Sequence, residues 1–232
     1  IPLEQAEEFL QQAHQIDTIE IEGLYSHFAT ADEGDLSYAN DQLNKFNDVL
    51  AIAEKLGMNP TFIHCSNSGA MLNLPESRFN MIRVGMLLYG AFPSDEVPQD
   101  LPIKPVMTFT APVVEVRDVK AGTHISYGGV YTTKEDTRIA VVQAGFADGV
   151  PRPWYVDGFV KFKDQNFKIT GRICMDQLMI DVGSADIQYG DEVLIFGSNE
   201  HGTIDVNEIA NTINSTSYVL VTEIGIRPKR IY

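Results

Sequence analysis

The stretch Thr61-Phe62-Ile63-His64-Cys65-Ser66-Asn67-Ser68 joins a short apolar run to a polar turn. Aromatic and β-branched residues favour a short buried strand over residues 61–64, and Ser68 opens a predicted helix that extends to Leu72. Upstream, residues 19–27 form another β-branched and aromatic run. Strands that alternate with helices in this way indicate parallel strands joined by crossover helices.

Helical patterns surround these two strands. Residues 3–13 carry apolar side chains at helical spacing, after a proline that a first turn tolerates. A longer amphipathic helix is predicted from a Ser37 cap to a Gly57 stop. Residues 81–88 form a third strand-like run. The whole of this half therefore predicts an α/β fold.

Polar residues accompany each predicted strand, with His27 after the first, Asn67 and Ser68 after the second, and Arg83 in the third. In a (β/α)8 TIM-type barrel, the C-terminal strand ends carry the active site. A closed barrel needs about 200 residues or more, and residues 1–97 supply less than half of that length. We therefore expect residues 1–97 to form the later part of such a barrel, without its early strands.

The second half of the chain has a different pattern. Prolines cluster before it, which suits an extended linker that we place at residues 98–105. Residues 106–232 contain several short apolar runs between Gly, Asp and Asn turns, at 113–116, 139–142, 159–162, 178–181 and 193–196. This spacing predicts a mostly antiparallel β-rich C-terminal domain. Its one clear helix is predicted to start at an Asp205 cap.

Composition excludes several classes of function. The net charge of −15 argues against a nucleic-acid partner, because phosphate binding needs clustered Lys and Arg. No apolar run is long enough to predict a membrane span within this segment. Two cysteines do not form a disulfide framework, and five histidines without paired spacing do not indicate a metal site. With no signal peptide visible at Ile1, we expect a cytoplasmic protein, although a chain that starts without Met leaves an upstream targeting segment open.

Five segments resemble the bacterial alanine racemase family in their residues, order and gaps. They are Tyr25-Ser26-His27-Phe28-Ala29-Thr30-Ala31-Asp32, His64-Cys65-Ser66-Asn67-Ser68, Arg83-Val84-Gly85, Ile125-Ser126-Tyr127-Gly128 and Gly171-Arg172-Ile173-Cys174-Met175-Asp176-Gln177. The segment Phe146-Ala147-Asp148-Gly149 adds to the resemblance, which runs from residue 19 to residue 232. It implies a pyridoxal-phosphate amino-acid racemase, a barrel followed by a β-rich domain, and a homodimer whose active sites borrow residues from the partner's β domain.

The resemblance places the cofactor in the first half. It assigns the phosphate to Ser68 and to the amides of Gly85 and Met86, and it counts Asn67 among the cofactor-binding residues. Taken alone, Asn67 and Ser68 are as well explained as helix caps, and a cap and a phosphate site share the same unpaired backbone N–H groups.

The resemblance also places Arg83 against the pyridine nitrogen, with His27 beside it. A guanidinium keeps its proton, so it would donate to that nitrogen and leave the ring a weaker electron sink. The residues alone leave two simpler interpretations open. Arg83 would be a buried arginine paired with a carboxylate, and His27 a structural histidine. His64 receives no role.

In the second half, the resemblance makes Tyr127 one of two acid–base residues and lets Met175 line the partner's site. Racemisation removes a proton from one face of Cα and delivers one to the other, so it needs two groups. Without the resemblance, Tyr127 is an aromatic residue at a strand end. Cys174 is interpreted as a packing residue rather than a nucleophile.

The chain departs from the family pattern at several positions. No lysine lies in the alanine- and glycine-rich motif that holds the cofactor covalently in the family, so we expect the tail of a longer polypeptide that cannot complete the chemistry alone. Ile226 and Phe146 stand where tyrosines are common. Alanine is the first substrate expected, followed by serine or a broader range. A decarboxylase of the same architecture and an inactive dimerisation module are the rival interpretations.

Overall fold

A computed structural model describes residues 1–232 and separates them into two compact units. Unit 1 comprises residues 1–88 and 92–103, and unit 2 comprises residues 89–91 and 104–232. The predicted linker at 98–105 contains no helix or strand, and the division between the units falls inside it.

Unit 1 contains three α-helices and a two-stranded parallel sheet. In chain order these are α1 (Ala6–His14), β1 (Gly23–Tyr25), α2 (Ser37–Lys55), β2 (Phe62–His64) and α3 (Ser68–Asn73). Tyr25 of β1 lies opposite His64 of β2, so both strands end at the same level. The strand predicted over 19–27 is observed only at Gly23–Tyr25, because the ladder of this sheet is three residues long. The prediction that β2 is buried is wrong, because Phe62 is 44% exposed.

The strand predicted over 81–88 is also wrong. The Arg83 N–H donates to the Ser66 carbonyl at 2.9 Å, but one such bond does not make a ladder. The chain then turns at Gly85 and forms a short 3-10 helix at Met86–Tyr89. The run therefore reaches the level of the strand ends without becoming part of the sheet.

Helix α2 packs one apolar face on the segments that carry the polar strand ends. Its buried residues recur at helical spacing, and they join Phe28 and Cys65 in one cluster: Ala39, Leu43 and Phe46. Ser37 is the first residue of α2 and not its cap, because the Asp35 carboxylate accepts the Ser37 N–H at 2.9 Å. The predicted stop is confirmed by Gly57, which has a φ of +74°.

Unit 2 is built on a seven-stranded antiparallel sheet, which confirms the predicted β-rich domain. Its strands are β3 (Phe109–Val119), β6 (Thr137–Val142), β7 (Phe159–Phe162), β8 (Gln165–Lys168), β9 (Leu178–Asp181), β10 (Glu192–Asn199) and β11 (Gly202–Ile204). The order across the sheet is β8-β7-β10-β3-β6-β9, and β11 pairs with β10. A separate hairpin joins β4 (His124–Ile125) to β5 (Tyr131–Thr132).

Two helices follow the sheet, although the sequence predicted only one. Asp205 accepts the Asn207 N–H at 2.8 Å and caps α4 (Val206–Thr212), as predicted. The second helix, α5 (Ser217–Glu223), buries only Ser217 and Leu220. Two buried positions are too few to show a helical period in the sequence.

The core of unit 2 fills the space behind this sheet with large apolar side chains. Those that are almost fully buried include Trp154, Ile169, Ile173, Leu178, Ile180, Ile187, Leu194 and Ile195. The turns that connect the strands of this core are held at both ends by a rigid scaffold, and functional side chains are often placed on such turns. No helix of either unit is both long and apolar enough to cross a membrane.

Candidate functional site

The guanidinium of Arg83 is the centre of a polar cluster in unit 1, where β1 and β2 end. Its Nη1 donates to the His64 carbonyl at 3.1 Å and contacts the His64 Nδ1 at 2.7 Å. Its Nη2 donates to the Ser26 carbonyl at 2.7 Å and contacts the His27 Nδ1 at 2.9 Å. An arginine can only donate, so each Nδ1 must accept. The neutral form of His64, which its lowered pKa favours, therefore carries its proton on Nε2.

Tyr25 completes this arrangement, which we call the Arg83 cluster (Tyr25, Ser26, His27, His64 and Arg83). The Tyr25 ring stacks on the His64 ring with centroids 5.5 Å apart and an interplanar angle of 7°. The guanidinium carbon of Arg83 lies 5.6 Å from the centroid of the same tyrosine. Burial, and after it the Arg83 charge, lower the pKa of His64. The cluster thus favours the neutral His64 that its hydrogen bonds require.

Sequence reasoning found Arg83 and His27 but missed His64 and Tyr25. Both of these lie at strand ends, opposite each other in the parallel register, so the strand-end argument that selected His27 applies to them as well. The simpler interpretation of Arg83 as the partner of a carboxylate is wrong, because its four partners are two imidazoles and two carbonyls.

Ser68 and Gly85 form a second feature of unit 1. Ser68 is the first residue of α3 and is buried, and its Oγ accepts the Gly85 N–H at 3.0 Å. A Cβ placed on Gly85 would meet nothing within 4 Å, so open space adjoins this contact. Met86 follows with a buried side chain. A hydroxyl and main-chain N–H groups beside a helix start suit an anion.

Asn67 has the role that the simpler interpretation gave it. It is the N-cap of α3, and its Oδ1 accepts the Ala70 N–H at 2.9 Å. The cap fixes where α3 begins, and with it the orientation of the Ser68 hydroxyl.

Tyr127 and Met175 line one open recess of unit 2. It has a volume of about 650 Å³ and is formed by Ser126, Tyr127, Gly128 and residues 174–177. The side chains of Tyr127 and Met175 are 69% and 56% exposed. The structure therefore brings together the two residues that the resemblance assigned to the second half. They belong to a different unit from the Arg83 cluster.

Main-chain contacts hold one wall of the recess. The Phe146 N–H donates to the Cys174 carbonyl and the Ala147 N–H to the Met175 carbonyl, both at 3.0 Å. A Cβ on Gly145 would lie 2.3 Å from the Met175 carbonyl oxygen. Only glycine allows this approach, so the position of Met175 depends on Gly145.

Three charged residues that sequence reasoning missed secure the same wall. Asp148 accepts the Gly145 N–H at 2.9 Å. Arg227 lies 3.3 Å from Asp148 and 2.6 Å from Asp176, and so links the C-terminal segment to both loops. Asp148 and Asp176 both lie in segments that carried the resemblance, which is the signal that could have selected them.

The two positions where tyrosines are common in the family differ in their surroundings. Ile226 is 96% exposed, whereas Phe146 is 42% exposed with the Arg152 guanidinium carbon 5.9 Å from its ring centroid.

Neither cysteine nor any other side chain forms a metal site. The Cys174 Sγ lies 3.6 Å from the Ser126 Oγ. Burial raises the pKa of the Cys65 thiol to about 11, so this thiol is protonated at neutral pH. No group of three or more His, Cys, Asp or Glu side chains is arranged to hold a metal ion.

Two family models match this chain. Residues 106–232 match the alanine racemase C-terminal domain, and residues 1–93 match the alanine racemase N-terminal domain. The chain is therefore not confined to the C-terminal domain of the family but also carries sequence of the N-terminal one.

Individual relatives agree with these models. The alanine racemase of Desulforamulus reducens is 41% identical over 216 residues, which cover 92% of this chain and 58% of the relative. The crystal structure of alanine racemase from D-cycloserine-producing Streptomyces lavendulae has a TM-score of 0.91 and 38% identity, covering 97% of this chain and 60% of that one.

A second structure is the alanine racemase from Bartonella henselae with covalently bound pyridoxal phosphate. It has a TM-score of 0.86 and 27% identity, and the match covers 99% of this chain and 61% of that one. The chain thus spans about three fifths of the length of the relatives that it matches. On both domain models, the chain belongs to the alanine racemase family.

Proposed function

We propose that this chain is part of a pyridoxal-phosphate-dependent alanine racemase, which interconverts L-alanine and D-alanine. Unit 1 is the later part of a (β/α)8 barrel and holds the cofactor, and unit 2 supplies Tyr127. The observation that carries the proposal is the Arg83 cluster, in which two imidazoles and no carboxylate orient a permanent cation at the strand ends. The names of the relatives and the Bartonella structure support the same activity and cofactor.

The residues of unit 1 fit the proposed cofactor. The Ser68 hydroxyl with the amides of Gly85 and Met86 would hold the phosphate, which would replace the Ser68 Oγ as the acceptor of the Gly85 N–H in the open space beside Gly85. When bound, pyridoxal phosphate supplies the electron-withdrawing ring that makes the Cα proton of an amino acid removable.

Arg83 would face the ring nitrogen of the cofactor. A guanidinium has five N–H groups, and four of them are taken by the Arg83 cluster. The fifth, on Nε, is the donor that remains for the ring nitrogen. His27 and His64 hold the plane of the guanidinium, so its direction is set before any ligand binds.

Tyr127 would hold and move a proton on one face of the substrate Cα. A second group must act on the other face. The resemblance makes that group a lysine, and no lysine here occupies the family motif. Met175 would line the substrate side of the same recess. We further propose that Tyr127 and Met175 act in the site of a partner subunit, in a homodimer with two shared sites.

The test is the activity of the full-length protein supplied with pyridoxal phosphate. Chiral chromatography should show conversion of L-alanine to D-alanine, with slower conversion of L-serine. Tyr127→Phe should abolish conversion, whereas Tyr189→Phe, which changes another exposed tyrosine, should not. Faster conversion of serine than of alanine would show that the protein is the alternative, a serine racemase. An active Tyr127→Phe variant would show that Tyr127 is not an acid–base residue.

The shared sites can be tested by mixing two inactive homodimers. One carries Tyr127→Phe and the other a substitution of the covalent lysine in the upstream motif. Statistical exchange makes half of the dimers mixed, and each mixed dimer has one intact site of two, so activity should recover towards about a quarter of wild type. Differently tagged subunits verify that exchange occurs. Mixed dimers that form but stay inactive would show that Tyr127 acts within its own subunit.

A further inference from the structure

Ser126, the residue before Tyr127, has a backbone conformation that serine rarely adopts. Its φ is +62° and its ψ is −178°. This region of the backbone map belongs essentially to glycine, and other residues persist there only when their surroundings hold them.

The side chain of Ser126 supplies the first contact. Its Oγ donates to the Arg172 carbonyl at 2.7 Å and lies 3.6 Å from the Cys174 Sγ. The Ser126 carbonyl in turn accepts the Gly129 N–H at 3.2 Å and closes the turn that carries Tyr127. The hydroxyl thus ties the Tyr127 turn to the loop that carries Met175.

The main chain of the opposite loop supplies the second contact. Gly171 has a φ of +80°, and a Cβ there would lie 2.7 Å from both the Ser126 Cβ and the Ile125 carbonyl oxygen. The two loops therefore meet without an intervening side chain. Ser126 fits between the Gly171 backbone and the Arg172 carbonyl, where a relaxed backbone would lose the hydrogen bond.

We propose that Ser126 is a positioning residue for Tyr127. Its hydroxyl, bonded to the Arg172 carbonyl, holds a strained backbone that presents the phenol in the recess. Tyr127 is 69% exposed, so its own side chain has little packing to orient it, and the turn must set its direction. The kinetic consequence rests on the proposed racemase function, whereas the position of the tyrosine does not.

Three substitutions in the full-length protein separate the hydroxyl from the backbone. Ser126→Ala removes the bond and keeps a side chain that disfavours the conformation, so the turn should relax. Ser126→Gly removes the bond but adopts the conformation readily. Asn214→Ala is the matched control, because Asn214 also has a positive φ, +53°, in the turn between α4 and α5.

Two readouts are measured on each variant: kcat and KM for alanine, and the ¹⁹F spectrum of protein labelled with 3-fluorotyrosine. Tyr127→Phe assigns the Tyr127 signal. Ser126→Ala should lower kcat by roughly ten- to a hundredfold with little change in KM, because an ångström of misplacement costs that much. Ser126→Gly should lower kcat less than Ser126→Ala does. The chemical shift of the Tyr127 fluorine signal should change most in Ser126→Ala. Asn214→Ala should change neither readout.

Unchanged kcat and an unchanged Tyr127 signal in both Ser126 variants would overturn the proposal. So would a loss confined to thermal stability or KM, as for a purely structural residue. If the wild-type full-length protein does not racemise alanine, the proposed function fails. The fluorine signal alone then decides whether Ser126 positions Tyr127.

Discussion

The Arg83 cluster and the Tyr127 recess present their key side chains by different means. Arg83 is held by side-chain rings and carbonyls at the ends of two parallel strands. Tyr127 lies in a recess whose geometry depends on main-chain contacts: Gly171 and the positive φ of Ser126 shape its own turn, and Gly145 shapes the opposite wall. The first arrangement orients a charge through titratable partners, and the second depends on backbone shape. The two should therefore fail under different substitutions.

The largest effect is expected from Arg83→Glu in the full-length protein. A glutamate carboxylate would accept a hydrogen bond from a protonated ring nitrogen, whereas the guanidinium donates one to an unprotonated nitrogen. The glutamate would also lose both imidazole partners. Racemisation should fall by roughly a thousandfold, the upper range for removing one preorganised donor. Transamination should rise relative to it, because this partner tunes the ring. Arg117→Glu, at an exposed ion pair on β3, is the control. An unchanged ratio of the two reactions would reject the role of Arg83.

In the recess, Gly145→Ala should be the most damaging change. The new methyl would lie 2.3 Å from the Met175 carbonyl oxygen, so the two loops must separate. We expect unfolding to become easier by about 3 kcal/mol, as for overpacking against backbone. Urea denaturation of the 232-residue chain measures this. Gly225→Ala, where a Cβ meets nothing within 4 Å, should have little effect. Equal stability of the two variants would show that the close approach is not needed.

Asp148→Ala tests how far side chains support the same wall. It removes the bond to the Gly145 N–H and one partner of Arg227. The loss should be about 1 kcal/mol, the net value of one hydrogen bond, and smaller than that of Gly145→Ala. Asp157→Ala, at an exposed carboxylate, is the control in the same denaturation experiment. If Asp148→Ala lowered the free energy of unfolding more than Gly145→Ala does, the recess would be held mainly by side chains, as the Arg83 cluster is.

The smallest effect is a pH dependence that belongs to the Arg83 cluster. The pKa of His64 is lowered by burial and by Arg83, so the unfolded chain binds a proton more readily than the folded one. Stability is therefore complete above the ordinary histidine pKa of about 6.5 and declines as pH falls below it. His64→Gln should weaken this decline in thermal unfolding, whereas His14→Gln on the exposed side of α1 should preserve it. An unchanged decline in His64→Gln would place its source elsewhere.

Much of unit 2 was predictable from local patterns. The strands at 159–162 and 178–181 match their predicted bounds, and the Asp205 cap starts α4 where expected. Alternating burial and turn residues act within a few positions, so they are visible in one sequence. Helix α5 was missed because two buried residues do not define a period. The prediction of a strand at 81–88 was wrong because only one main-chain hydrogen bond, from the Arg83 N–H to the Ser66 carbonyl, joins this segment to the end of β2. The apolar pattern of the segment does not show how many such bonds form.

The sequence by itself determined the alternation of strands and helices and the β-rich second half, and its resemblance to a family selected Arg83, His27, Ser68 and Tyr127 as candidate site residues. Only the tertiary structure revealed that His64 and Tyr25 share the guanidinium, and that Gly145 and Ser126 shape the recess. The physical reason is the distance along the chain over which each effect acts. Propensity and periodicity act along the chain, whereas a hydrogen bond such as Ser126 to Arg172 joins residues 46 positions apart. Such contacts are set by the packing of whole elements, which no local pattern encodes.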